Sequence, residues 1–309
     1  MNTNHQTLLE AIRPATFIES QKLRDYLGLD ITIACETFQH TGSFKFRAAY
    51  NLALNVPNEE ILTASSGNFG QALAYACKLT GKKCMVVMPV TSAQVKIDAV
   101  RGYGATVDLV DTAKISRNDR VVQLAAEMPD AYFASPYDDQ FVIDGNATIG
   151  DEISEKNFDV VIVPIGGGGL ISGIVTSFCR NRKTTAVIGA EPLRGNDAAR
   201  SLKAGQIVAN ETEPMTLADG ARTLSVGKLN WPIIEKSVTE IIEVSEENIG
   251  EAVRLYFKLA NLKSEPTGAL SLGAILQKPE AFSCRKICII ISGGNVDPAV
   301  YTKIIGNQV

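Results

Sequence analysis

The chain has 309 residues, 45% of them hydrophobic, with 30 basic and 34 acidic side chains giving a net charge of −4. That supplies a core for one large domain or two modest ones and no basic footprint for nucleic acid. No apolar stretch approaches the ~20 residues that cross a bilayer, and the N-terminus MNTNHQTLLEAIRP has neither a basic n-region nor an apolar h-region, so a cytoplasmic protein is expected.

Histidine occurs only as His5 and His40, so zinc sites built on histidine, Ser-His-Asp triads and Cys-His dyads lack raw material. Acid–base chemistry must come from lysine, carboxylates, hydroxyls or a cofactor. The cysteines at 35, 77, 84, 179, 284 and 288 form no C-x-x-C pair and mostly sit in apolar runs, which predicts reduced, buried packing residues.

In chain order, the first segment able to carry chemistry is CETFQHTGSFKFRAAYN. Lys45 lies there after the small residues Thr41, Gly42 and Ser43, between Phe44 and Phe46, just ahead of a helical stretch. Apolar neighbours disfavour the ammonium form, lower its pKa and leave an amine able to form a Schiff base. A lysine taken alone is usually a solvated surface residue; the segments that follow reverse that reading.

The strand-like EEILTASS leads through Ser65, Ser66, Gly67 and Asn68 into the helical FGQALAYACKL. Hydroxyls, an amide and free N–H groups at a helix start suit a carboxylate, although the same residues also make an ordinary cap. KCMVVMP followed by SAQVKIDAVRGYG repeats the alternation, and Pro129 to Asp139 reads as a loop. DVVIVPI then enters Gly166, Gly167, Gly168 and Gly169 before LISGIVTSFCRN. Glycines let several N–H groups turn toward one anion at a helix N-terminus, which makes a phosphate cup. TAVIGAEP and NDAARSLKAG continue the pattern. Finally ICIIISGGNVDP sets Ser292 at the end of a buried strand, where open α/β sheets bind ligands, though a strand-ending Ser-Gly-Gly is usually a turn.

Strands apolar on both faces, each followed by an amphipathic stretch, predict an α/β protein of parallel βαβ units with helices on both faces of the sheet. A nicotinamide site is the rival reading of the glycine loop, because Glu191 ends the next strand about 20 residues on. Against it, no register of the loop spells G-x-G-x-x-G, and G-x-x-x-x-G-K-[ST] occurs nowhere.

Together, TGSFKFR, SSGNFGQA, PIGGGGLISG and SGGN resemble the fold-type-II pyridoxal-phosphate enzymes, and among them the serine/threonine dehydratase and serine racemase family. MPVTSAQVKIDAVRGYGATV, SPYDDQFVIDGNATIGDEI, LADGA and EPTGA extend the likeness over nearly the whole chain. The resemblance implies two open, twisted, mostly parallel sheets. It also implies a large domain over 1–49 and 139–309, a small domain over 50–138, and substrate in the cleft between them. Pyridoxal 5'-phosphate would be held by Lys45 as an imine, with Phe44 beside its ring and Asn68 on its ring hydroxyl. Gly166, Gly167, Gly168, Gly169 and Leu170 would surround the phosphate. Ser292 would face the pyridine nitrogen, where an alcohol does not hold the nitrogen protonated and so favours β-elimination over transamination.

By the same resemblance, Ser65, Ser66, Gly67 and Phe69 would meet the substrate, and Ser66 would protonate the face opposite Lys45, as in serine racemases. Glu191, Gly195 and Asp197 in EPLRGND match a racemase-type site for Mg²⁺ or Ca²⁺; read alone, the trio is a solvated acidic loop. The expected activity is dehydration and deamination of a hydroxy amino acid such as L-serine or L-threonine by a homodimer, with a racemase branch through Ser66. A β-replacement synthase, a dehydratase of a β-substituted serine such as 3-hydroxyaspartate, and a cofactor-binding sensor without turnover stay open. Phe69 stands where the family commonly has histidine, and Tyr137 lies in a loop that is polar in serine racemases, which points to a different or larger substrate side chain. The short tail after SGGN leaves no room for the amino-acid-sensing domain of biosynthetic threonine dehydratases.

Overall fold

The computed structural model describes residues 3–65, 67–92 and 94–308. Its strands are β1 (Thr16–Ile18), β2 (Asp30–Cys35), β3 (Glu60–Ala64), β4 (Lys83–Pro89) and β5 (Thr106–Val110), then β6 (Tyr132–Phe133), β7 (Val160–Pro164), β8 (Ala186–Pro192), β9 (Glu240–Val244) and β10 (Lys286–Ile291). They form a six-stranded sheet in the order β1-β2-β10-β7-β8-β9 and a four-stranded sheet in the order β5-β4-β3-β6. Among the strand pairs of the described residues, only β1–β2 is antiparallel. The expectation of an α/β protein with mostly parallel sheets holds.

Alternation explains why the apolar runs sit centrally. Val160 and Ile162 of β7, with Ile289 and Ile291 of β10, enter one core; Val161, Val163, Cys288 and Ile290 enter the core on the opposite face. Strands covered on both sides need no polar face, and each fully buried Ile or Val contributes roughly 1.5–3 kcal/mol. The smaller sheet is likewise sandwiched, with Ile61 and Val86 on one face and Leu62 and Val87 on the other.

Each sheet reverses its strand order once. In the larger, β7, β8 and β9 step one way while β10 lies on the other side of β7; in the smaller, β3, β4 and β5 step one way while β6 lies across β3. Ligand crevices of open α/β sheets lie beyond the strand ends at such reversals. The segments placed there follow β7, β10, β3 and β6, and three of them carry the glycine loop, Ser292 and, after β3, Ser65 and Asn68.

The helix Lys45–Asn55 is buried from Phe46 through Ala53 and packs against the helices Asn68–Thr80 and Gln140–Ser154. Its anchor is Arg47, fully buried, whose guanidinium holds Glu36 Oε1 at 2.9 Å and Glu152 Oε1 at 2.7 Å. It also donates to Thr148 Oγ1 and to the carbonyl of Arg13. Two residues from Lys45, this cluster fixes where the lysine leaves the helix.

Sequence patterning is incomplete in places. It finds β3, β4, β7, β8 and β10 but not the three-residue β1, the two-residue β6, or β2, β5 and β9, which are short or lie away from the segments that stand out. β6 falls inside the stretch 129–139 expected to be loop. All six cysteines are free, yet Cys179 and Cys284 are exposed rather than buried, one at the end of the helix Gly169–Arg180 and one in the turn before β10. Among the described residues no helix is long and apolar enough to cross a membrane.

Candidate active site

Lys45 opens its helix, and backbone bonds tie its turn to the one after β10. Phe44 N–H donates to the Ser292 carbonyl at 3.0 Å and Gly294 N–H to the Gly42 carbonyl at 3.0 Å. The ammonium donates to the Pro136 carbonyl at 2.7 Å and stands 4.9 Å from the ring centre of Phe44 and 5.7 Å from that of Phe69. Burial pushes the amine down to about 8, against the pull of the Glu265 carboxyl. An amine so held is a better nucleophile and base near neutral pH than an exposed lysine.

The glycine loop joins β7 to the helix Gly169–Arg180. Gly168 has φ +92°, a conformation that side chains resist. At Gly167 a Cβ would lie 2.1 Å from the Tyr137 ring, so only glycine fits beneath that ring. The Gly167 carbonyl is turned outward, taking N–H of Gly227 at 3.0 Å and Asn230 Nδ2 at 2.9 Å. The N–H groups of the loop and of Leu170 belong to a helix start, the part of a helix that lacks internal acceptors. Pro136 and Tyr137, which follow β6, thus touch both the lysine and the glycine loop.

Asn68 starts the helix Asn68–Thr80, with its Nδ2 on Glu265 Oε1 at 2.8 Å and its Oδ1 taking Asn295 Nδ2 at 2.8 Å. Sequence reading does not single out Glu265, whose only signal is membership of the EPTGA segment. The carboxyl is buried and pushed up to about 8, first by burial and then by Asp219, so it is protonated at neutral pH. Ser65 is buried, and its Oγ accepts the Gly70 N–H at 3.0 Å, so it caps the helix while its own proton stays available to a ligand. Gly67 is exposed beside it, Phe69 is buried, and Ser292 is buried at the end of β10. Ser66 lies outside the described residues.

Lys96 and Arg117, carried by helices of the smaller sheet, reach Asp219 at 3.2 Å and Glu213 at 3.4 Å in the loops beside the larger one. The Tyr137 phenol is pushed up by burial and by Asp138 and Asp197, with Arg117 opposing. Both cations therefore stand over the same crevice.

The trio from EPLRGND lies together but is differently satisfied. Glu191, buried at the end of β8, accepts N–H of Ala198 at 3.1 Å and of Ala199 at 2.6 Å. Burial, with Asp197 nearby, pushes it well above the usual carboxylate range. Asp197 Oδ1 takes Asn210 Nδ2 at 3.0 Å, Oδ2 is buried without a partner, and burial pushes the group up to about 7. Gly195 is buried between them in the chain. No cluster of three or more Asp, Glu, His or Cys side chains suited to a metal occurs among the described residues.

Known proteins resemble this chain over nearly its whole length. The family described as pyridoxal-phosphate dependent enzyme matches residues 8–293. A β-hydroxyaspartate dehydratase of Paracoccus denitrificans is 37% identical over 95% of this chain and 94% of its own length. A serine racemase of Dictyostelium discoideum is 36% identical over 97% of this chain and 95% of its own. The solved threonine deaminase of T.th. superposes with a TM-score of 0.89 at 37% identity, covering 95% of this chain and 96% of that one.

Proposed function

Because this chain belongs to the pyridoxal-phosphate dependent enzymes, we propose that it removes water and then ammonia from a small hydroxy amino acid to give an oxo acid, with Lys45 moving the proton at Cα. The observation that carries the reading is that Pro136 and Tyr137 bring a desolvated amine and a glycine-lined helix start into one crevice. Those residues fit a phosphorylated aldehyde cofactor, and the Thr41 and Ser43 hydroxyls, buried without partners at the Lys45 turn, offer further polar contacts. Bound there, pyridoxal phosphate supplies an aldehyde that condenses with amines and a ring that draws electrons from Cα.

The chain's own residues do the rest. N–H groups of Gly166 to Leu170 hold the phosphate, and the helix dipole favours its charge. Lys45, released from the Pro136 carbonyl, takes the Cα proton. Asn68, fixed by Glu265 and Asn295, would offer its amide to the ring hydroxyl, and Ser292 would meet the ring nitrogen without protonating it. The turn at Ser65, Ser66 and Gly67 takes the substrate carboxylate, and Phe44 and Phe69 wall the lysine from water. Ser66 is the acid–base group for the opposite face, and racemisation is its signature. Substrate enters between a small domain over 50–138 and a large one over 1–49 and 139–309, in a homodimer.

Oxo acid should form from L-serine, L-threonine or 3-hydroxyaspartate with no added thiol, and Lys45→Ala should abolish it. Normal turnover by Lys45→Ala would overturn the assignment, and a requirement for an added nucleophile would favour β-replacement. Ser66→Ala should suppress D-product while sparing elimination from the L-substrate; equal losses on both enantiomers would reduce Ser66 to a carboxylate contact.

A β-carboxylated substrate is the second reading, favoured by Lys96 and Arg117 over the crevice. A dianion would compete with Glu213 for Arg117, so Arg117→Ala should cut kcat/KM for 3-hydroxyaspartate more than for serine. We also propose that Glu191, Asp197 and the Gly195 carbonyl hold Mg²⁺ or Ca²⁺, supported by the unpartnered Asp197 Oδ2 beside a second buried carboxylate. The ion would brace the fold rather than enter the chemistry.

A further inference from the structure

Far from the crevice, the helix Asn68–Thr80 ends beside the start of β4. The Cys77 carbonyl accepts the N–H groups of Gly81 and Lys82, folding the chain back so that Cys84, the second residue of β4, returns to the same place. The Cys84 thiol faces that of Cys77, which with burial pushes it up. Both line one cavity of about 240 Å³, whose walls also include Lys78, Lys82 and Tyr103. Neither thiol has a part in the chemistry described above, since Asn68 and Cys77 are nine residues apart on one helix, about 14 Å along its axis.

We propose that Cys77 and Cys84 form a thiol–disulfide exchange site, entered through this lysine-bearing cavity by a small anionic disulfide such as oxidised glutathione. The two cysteines meet at one helix-to-strand turn and line one cavity, so a single reagent can react with them in turn. Lys78 favours an anionic reagent over a cationic one, while the Lys82 ammonium is held by the carbonyls of Val56 and Asn58. Cys84, 7% exposed against 1% for Cys77, is the sulfur that a reagent reaches from outside. Its thiolate attacks one glutathione sulfur; the S–S bond breaks, and one glutathione leaves and takes up the proton that Cys84 released. The Cys77 thiolate then attacks the mixed disulfide at Cys84 and expels the second glutathione, which takes the Cys77 proton. Two protein S–H bonds and one glutathione S–S bond become one protein S–S bond and two glutathione S–H bonds, and the electron pair passes from protein to glutathione. Contact with Cys77 and burial push the Cys84 thiol up, which keeps thiolate scarce and makes the exchange slow at neutral pH. The closed bridge fastens the end of the helix whose beginning carries Asn68.

The test is incubation of the holoenzyme with oxidised glutathione, followed by alkylation and peptide mapping without reductant. The expected product is a linked Cys77–Cys84 peptide lighter by two hydrogens, while the exposed Cys179 and Cys284 carry glutathione and show that the reagent worked. Cys77→Ser, or Cys77→Ala should the serine variant misfold, should instead retain glutathione on Cys84. Free, separately alkylated Cys77 and Cys84 in a sample with modified Cys179 and Cys284, or linkage of either to another cysteine, would overturn the proposal.

Discussion

Two helix starts in this protein gather wholly or partly buried carboxylates, and they treat them in opposite ways. Near the start of the helix Lys45–Asn55, Glu36 and Glu152 close on the Arg47 guanidinium, so the charge is matched in place. At the start of the helix Asp197–Ala204, Glu191 and Asp197 meet N–H groups, one amide and each other, and Asp197 Oδ2 has no partner. Desolvation is costly in both places; the first offsets it within the chain, the second leaves it to a proton or a cation. A finished ion cluster positions Lys45, whereas the unfinished one leaves a buried carboxylate oxygen without a partner.

Breaking the finished cluster should have the largest effect on stability. Arg47→Met strands the buried Glu36 and the half-buried Glu152 and should cost about 3–5 kcal/mol in denaturant unfolding, with weakened cofactor retention as the Lys45 turn loosens. A loss below about 1 kcal/mol would mean that water or protonation already relieves these acids. The unfinished cluster should respond to ions instead. Chelation should lower the thermal midpoint of the wild type, Mg²⁺ or Ca²⁺ should restore it, and Asp197→Asn should be indifferent to both. An equal response of wild type and variant would remove the cation from the account.

Glu265 sharpens the contrast, because it is a buried acid partnered by a neutral amide. Its folded-state pKa of about 8 lies above the ordinary value of 4.5, so the proton favours the folded state. The stability it contributes is complete below about 4.5 and is lost as pH rises through about 8. In that window unfolding free energy should fall by at most roughly 1.4 kcal/mol per pH unit from this group. Glu265→Gln keeps an acceptor for Asn68 and should flatten that slope; an unchanged slope would mean that Glu265 is ionised throughout. Glu265 raises Lys45 only where it is ionised, so as pH rises through about 8 the same variant should shift cofactor uptake by the apoprotein to lower pH by a fraction of a unit, the smallest effect expected here.

The elements around the crevice were legible where local chemistry demanded particular residues. VVIVP and ICIII read as buried strands because no face of them is polar, and four successive glycines mark a close backbone approach. Lys45 was legible from its aromatic neighbours and small-residue turn. What stayed hidden depends on partners distant in the chain: Arg47 meets Glu152 across 105 residues, and Asn68 meets Glu265 across 197. Ser65 could be read as carboxylate ligand or cap, and its bond to Gly70 N–H shows the cap. The crossing of Lys96 to Asp219 likewise needed the packed sheets to be seen.

The central claim is that Lys45, among all the lysines of the chain, holds the cofactor. Borohydride reduction of the holoenzyme, followed by peptide mass mapping, tests it directly, because reduction fixes the cofactor covalently on whichever amine carries it. The account predicts one pyridoxyl label, on the peptide containing TGSFK at Lys45, and none in Lys45→Ala. A label on another lysine of the active wild-type protein, or full activity with no label at Lys45, would contradict it.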